Sequence, residues 1–153
     1  MELQYPHWGK KMQVTKTLDY AVRSLTYLGN EPFGKHSMKE ISEHQHIPLN
    51  YLAKIMRRLV TRGIVKSMVG PAGGYTLRKP PSDISLRDIY EAIEGEIRIV
   101  DCMDKNAICR LHETCPQLPV WDRIQLSMVK ILQETTLEHM LTEKTLRGLT
   151  RVN

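Results

Sequence analysis

The chain has 153 residues, 41% apolar, 25% charged and 6% aromatic, which fits one folded domain with an appended helix and excludes a disordered chain. A chain this long buries roughly 70% of its unfolded surface and needs no disulfide staples. No apolar run approaches the roughly 18 residues of a membrane span, and the start, MELQYPHWGKK, lacks a secretory apolar core. A cytoplasmic setting with reduced thiols and no membrane partner is therefore expected. The net charge of +5 is unevenly spread: residues 1–80 hold 13 Lys/Arg against 5 Asp/Glu, and residues 81–153 hold 9 against 12. Such asymmetry suggests that the first half meets a polyanion and the second half has another task.

Residues 1–11 are polar and unpatterned, with Pro6 and Gly9, and read as a flexible arm. Leu18, Ala21, Val22, Leu25 and Leu28 repeat with helical spacing and predict a helix from about Thr15 to Asn30, ended by Glu31-Pro32-Phe33-Gly34. Ser37-Met38-Lys39-Glu40 is a capping box that opens a short helix to about His44. After a turn at Gln45-His46-Ile47, Pro48 suits the first position of another helix, which runs to about Arg62 and stops at Gly63. Its inner face is Leu52, Ile55, Met56 and Leu59; its outer face carries Asn50, Tyr51, Lys54, Arg57, Arg58 and Arg62. Ile64–Val69 and Gly74–Leu77 read as two strands joined by Gly70-Pro71-Ala72-Gly73. A helix follows Ser85, with Asp88 as box partner, and ends at Gly95. Residues 96–119 have no period and hold all three cysteines; a longer helix then runs from about Val120 to Glu134, with a short one from about Thr136.

Short helix, tight turn, second helix and hairpin are the order of a winged helix-turn-helix, whose second helix enters the DNA major groove. Asn50 has the amide to pair bidentately with adenine, Lys54 reaches guanine O6/N7, and Tyr51 shares their face. Arg57, Arg58 and Arg62 are suited to neutralise phosphates, which set register without reading sequence. In the wing, Pro71 shapes the turn, and Gly73 and Gly74 let backbone approach the nucleic acid closely.

The cysteines are Cys102, Cys109 and Cys115, spaced Cys-x6-Cys-x5-Cys. Three thiols in an aperiodic loop converge naturally on a soft metal centre and cannot form a closed disulfide set within one chain. Two centres fit. An iron–sulfur cluster takes these thiolates and a fourth ligand that is not cysteine. Zinc takes a Cys3His set completed by His112. The looser spacings favour the cluster modestly. An enzyme, or a small metal-dependent redox protein, is the weaker class: there is no Gly-rich phosphate loop, His-Glu-x-x-His or serine elbow.

Met12-Gln13-Val14-Thr15, Leu18-Asp19-Tyr20-Ala21, the stretch Ile47–Val65, the wing Gly70-Pro71-Ala72-Gly73-Gly74-Tyr75 and the cysteine loop together resemble the IscR/NsrR/RirA superfamily of bacterial winged-helix regulators, over about residues 12–143. The resemblance implies a homodimeric transcription factor on a roughly palindromic double-stranded DNA site. It also implies one iron–sulfur cluster per subunit, held by the three cysteines, with a 4Fe-4S cluster ranked ahead of 2Fe-2S. IscR-like proteins place a histidine ligand three residues after the third cysteine, where this chain has Leu118. NsrR-like proteins use an aspartate early in the first helix, supplied by the other subunit, and Asp19 matches it. Two departures stand out: six residues rather than the usual five separate the first two cysteines, and Val69 stands where the family often has a wing arginine. The expected product is a mainly α protein. It comprises an arm (1–11), a winged helix-turn-helix (12–95), a cluster loop (96–119) and a dimerisation helix with tail (120–153). Its expected function is to sense nitric oxide, redox or iron–sulfur status.

Overall fold

A computed structural model describes residues 14–100, 110–111 and 113–142. In chain order these form α1 (Lys16–Asn30), α2 (Met38–Gln45), α3 (Leu49–Thr61), β1 (Val65–Met68), β2 (Gly74–Leu77), a single 3-10 turn (Pro81–Asp83), α4 (Leu86–Ile93) and α5 (Leu118–Glu134). Residues 137–142 are helical as well. The architecture is the expected one: mainly α, with a helix-turn-helix and an antiparallel hairpin wing, Val65 opposite Leu77 and Met68 opposite Gly74.

Local chemistry sets most boundaries. The Thr15 hydroxyl accepts from the Leu18 N–H and caps α1, and Ser37 with Glu40 closes a full capping box on α2. His46 ends α2 in the left-handed region at φ 53°, so the turn to α3 is three residues, His46 to Pro48. Here the sequence reading is off by one residue. Pro48 is the N-cap of α3 rather than its first helical residue, and its carbonyl accepts from Tyr51 and Leu52. The α3 C-terminus is a Schellman motif. Gly63, at φ 70°, donates to Val60, and Ile64 donates to Leu59, each at 3.0 Å.

One core unites the helices. Leu25, Leu28, Ile41, Leu52, Ile55, Met56, Leu59 and Ile89 are essentially inaccessible, and Val65 and Leu77 extend the core beneath the wing. The helix following α5 belongs to this core. Leu137 is fully buried, Leu86 N–H donates to Thr135 O (2.7 Å), and Leu137 N–H donates to Ile84 O (2.8 Å). By contrast, α5 has no buried residue and leaves Val120, Ile124, Leu126 and Ile131 exposed. Among the described residues no helix is long and apolar enough to cross a membrane.

Candidate nucleic-acid interface and cysteine site

Asn50, Lys54 and Arg57 fall at i, i+4 and i+7 of α3, so they share one face, and all three are exposed. Among the described residues neither Lys54 nor Arg57 is paired with a carboxylate. Asn50 Oδ1 accepts from the Tyr51 N–H at 3.0 Å, which leaves the NH2 group as the donor of this side chain. Tyr51 is half exposed and is anchored at its base: its ring meets the buried Tyr20 ring edge-on, 6.2 Å between centroids.

Arg58 departs from this face. One residue further is about 100° further round the helix, and its Nη1 donates to the Ile93 carbonyl at 2.8 Å. It braces α3 against the end of α4, a contact that the sequence reading of Arg58 as a phosphate ligand did not include. Arg62 also sits off the face, at a cleft shared with Asp83, Asp88 and Glu91.

The wing tip is exposed from Val69 to Ala72. Gly73 N–H donates to Gly70 O at 2.9 Å and closes the turn around Pro71. A Cβ at Gly73 would collide with the Met68 carbonyl oxygen, and one at Gly74 would lie 2.9 Å from the His36 carbonyl oxygen. Both glycines therefore answer to crowding within the fold, in addition to the close approach to nucleic acid expected of them. The His36 contact reflects a second anchor: His36 and Tyr75 exchange N–H···O bonds of 3.1 and 2.8 Å, adding a one-residue third strand to β2.

Asp19 lies on the open face of α1. Its carboxylate is 52% exposed and is held by Arg23 Nη1 at 3.4 Å. The Arg23 guanidinium also donates to the Gln45 carbonyl at the end of α2 and lies 5.5 Å from the Tyr20 ring centre. Asp19 is thus linked through one side chain to the helix-turn-helix turn, a connection that sequence spacing does not reveal. Cys115 is a free, half-buried thiol three residues before α5. Cys102, Cys109 and His112 lie outside the described residues, as does the arm 1–11. Among the described residues no three His, Cys, Asp or Glu side chains converge as a metal set.

A polar cluster escaped the sequence reading. His36 is buried between α1, α2 and β2, with Nδ1 2.7 Å from Glu40 Oε1. The Tyr27 hydroxyl donates to the same oxygen at 2.9 Å, while Glu40 Oε2 accepts from the Ser37 N–H. These hydrogen bonds, from His36 first and then Tyr27, hold the Glu40 carboxyl below the usual carboxylate range. Burial, and next the bond to Glu40, pushes the Tyr27 phenol up. The only hint in the sequence is a histidine four residues before the capping-box glutamate.

Comparison with known proteins gives this geometry a family. Residues 14–143 match the Rrf2 family, described as iron-dependent transcriptional regulators. The HTH-type transcriptional regulator NsrR of Bacillus subtilis is 31% identical over 135 residues, covering 87% of this chain and 92% of that one. Among solved structures, CymR, the global cysteine regulator of B. subtilis, superposes with a TM-score of 0.72 at 26% identity, covering 87% of this chain and 98% of that one. IscR of T. potens superposes with a TM-score of 0.69 at 28% identity, over 87% and 88% of the two chains. These relatives are transcriptional regulators rather than enzymes, and the chain belongs to the Rrf2 family.

Proposed function

We propose that this transcriptional regulator acts as a homodimer on a roughly palindromic operator. It reads bases with Asn50, Tyr51 and Lys54, holds phosphate with Arg57, and sets the Pro71–Gly74 wing against the backbone or minor groove. The observation that carries the reading is the α3 face itself: an amide, a lysine and an arginine in helical register, exposed beside an exposed wing tip. Contacts made by two α3 helices in one dimer repeat about one helical turn apart on DNA.

The sensing part of the proposal assigns Cys102, Cys109 and Cys115 of one subunit, with Asp19 of the partner subunit, to one iron–sulfur cluster, 4Fe-4S ahead of 2Fe-2S. The described members suit that donor set. Among the described residues Cys115 is a free, half-exposed thiol near the foot of α5, and the exposed Asp19 carboxylate pairs with Arg23. A bound cluster supplies iron that reacts with nitric oxide or oxidants. A carboxylate is the hardest and most displaceable of the four ligands. When Asp19 is engaged elsewhere, Arg23 keeps its bond to Gln45 and loses its carboxylate, which links the ligand's state to the turn before α3.

Protein purified without oxygen should be brown and should bind labelled operator DNA by anisotropy. Each of Cys102→Ala, Cys109→Ala and Cys115→Ala should bleach it. Asp19→Ala should alter the spectrum and speed loss of colour in nitric oxide. A colourless protein with one zinc per chain would replace the cluster with a Cys3His site through His112. Absence of salt-sensitive DNA binding would overturn the operator reading.

A further inference from the structure

We infer that His36 is a positioning residue for DNA binding: its protonation latches the wing to the helix-turn-helix and strengthens the grip on DNA below neutral pH. This deepens the DNA-binding reading and rests on it.

His36 stands at a junction. Its backbone pairs on both sides with Tyr75 of β2, and the next residue, Ser37, is the N-cap of α2. Any shift of the imidazole is therefore felt by the wing and by the first helix of the helix-turn-helix together. The side chain is 9% exposed. One ring nitrogen, Nδ1, faces Glu40 Oε1 at 2.7 Å, while Nε2 is buried without a hydrogen-bond partner among the described residues. The carboxylate that faces Nε2 is Glu31, with Oε2 at 3.9 Å.

Neutral His36 satisfies one nitrogen, donating from Nδ1 to Glu40, and leaves a buried lone pair at Nε2. The imidazolium donates from both nitrogens. Its Nε2–H has an acceptor in Glu31, whose side chain is 72% exposed and so has room to close the roughly 1 Å that separates it from a charge-assisted bond. Glu31 is the C-cap of α1, and the next carbonyl, Pro32 O, already accepts from Thr76 Oγ1 of β2 at 3.0 Å. Closing Glu31 onto His36 thus fastens the α1–α2 connection to β2 at a further point. A histidine is the side chain whose charge changes between about pH 5 and 8. The other titratable groups around it are Tyr27 and Glu31 from α1, Glu40 from α2, His44 behind the Tyr27 ring (5.3 Å), Tyr75 from β2 and the neighbouring exposed Lys35. Of these, His44 is the other imidazole, so it serves as the control.

The full-length protein is titrated against a fluorescein-labelled random-sequence duplex at low salt. In parallel, the Tyr75 amide is followed by hydrogen exchange, corrected for intrinsic exchange. Wild type should bind about fivefold more tightly at about pH 6 than at about pH 8, and Tyr75 protection should rise in step. His36→Asn keeps the donor to Glu40 but cannot titrate, and it should flatten both profiles at their high-pH values. Glu31→Gln leaves the imidazole in place and should remove most of the step. His44→Gln should keep it. A His36→Asn or Glu31→Gln profile parallel to wild type overturns the inference. If His36→Asn does not fold, Glu31→Gln decides alone. If no DNA is bound at either pH, the DNA-binding reading fails, and Tyr75 protection still decides the latch.

Discussion

Arg57 and Arg58 are neighbours in sequence, and Arg58 braces a neighbouring helix. A periodicity argument marks both as polar and outward, because the partner that claims Arg58, the Ile93 carbonyl, lies 35 residues away. His36 illustrates the same limit. Its burial depends on Tyr27 and Tyr75, which reach it from α1 and β2, and no local pattern announces such a meeting. Glu40 was legible as half of a capping box, but its bonds to His36 and Tyr27 were not. Because those bonds lower its folded-state pKa, its contribution to stability is present above the ordinary carboxylate range and is lost as pH falls through the depressed value. Glu40→Gln should therefore lower the melting temperature at neutral pH, and the gap to wild type should close once both proteins are melted at pH values below the carboxylate range. A gap that stays constant into acid would mean that the carboxylate charge contributes nothing.

Elements were legible where they carry their own punctuation. Ser37 with Glu40, Ser85 with Asp88, and Gly63 each fixed a helix end through bonds within a few residues. The start of α3 was the exception, since proline fits both the N-cap and the first helical position, and the Pro48 carbonyl bonds decide between them. The wing was legible as a hairpin, but the crowding at its glycines was not, because the Met68 and His36 carbonyls come close only in the folded chain. Recognition belongs to this scale. Arg57→Ala should weaken binding to all DNA sequences and reduce the slope of log affinity against log salt by about 1. Lys54→Ala should relax specificity at one position per half-site, at about 1–3 kcal/mol. Competition titrations at several salt concentrations separate the two, and an Arg57→Ala slope equal to wild type would remove it from the phosphate contacts.

For the whole molecule, α5 is the helix with no fully buried side chain. Val120, Ile124 and Ile131 form an exposed stripe along it at i, i+4 and i+11. Exposed apolar surface of this kind marks an interaction site, and the proposed occupant is α5 of a second subunit. Ile124→Glu, a change outside the core, should leave helical circular dichroism intact, give a monomer by analytical ultracentrifugation, and bleach a cluster that needs Asp19 from its mate. A dimeric Ile124→Glu protein would move the interface elsewhere. Leu137 has a consequence of another kind. The other buried members of the core lie between Leu18 and Ile93, so its last piece arrives only after the cysteine segment and α5 have been synthesised. The connecting stretch is a loop that folding must close, and closure of a long loop costs only slightly more than closure of a short one. Contacts so distant in sequence nonetheless slow folding. On the ribosome, the DNA-reading part therefore stays incomplete until the segment bearing the cysteines has emerged.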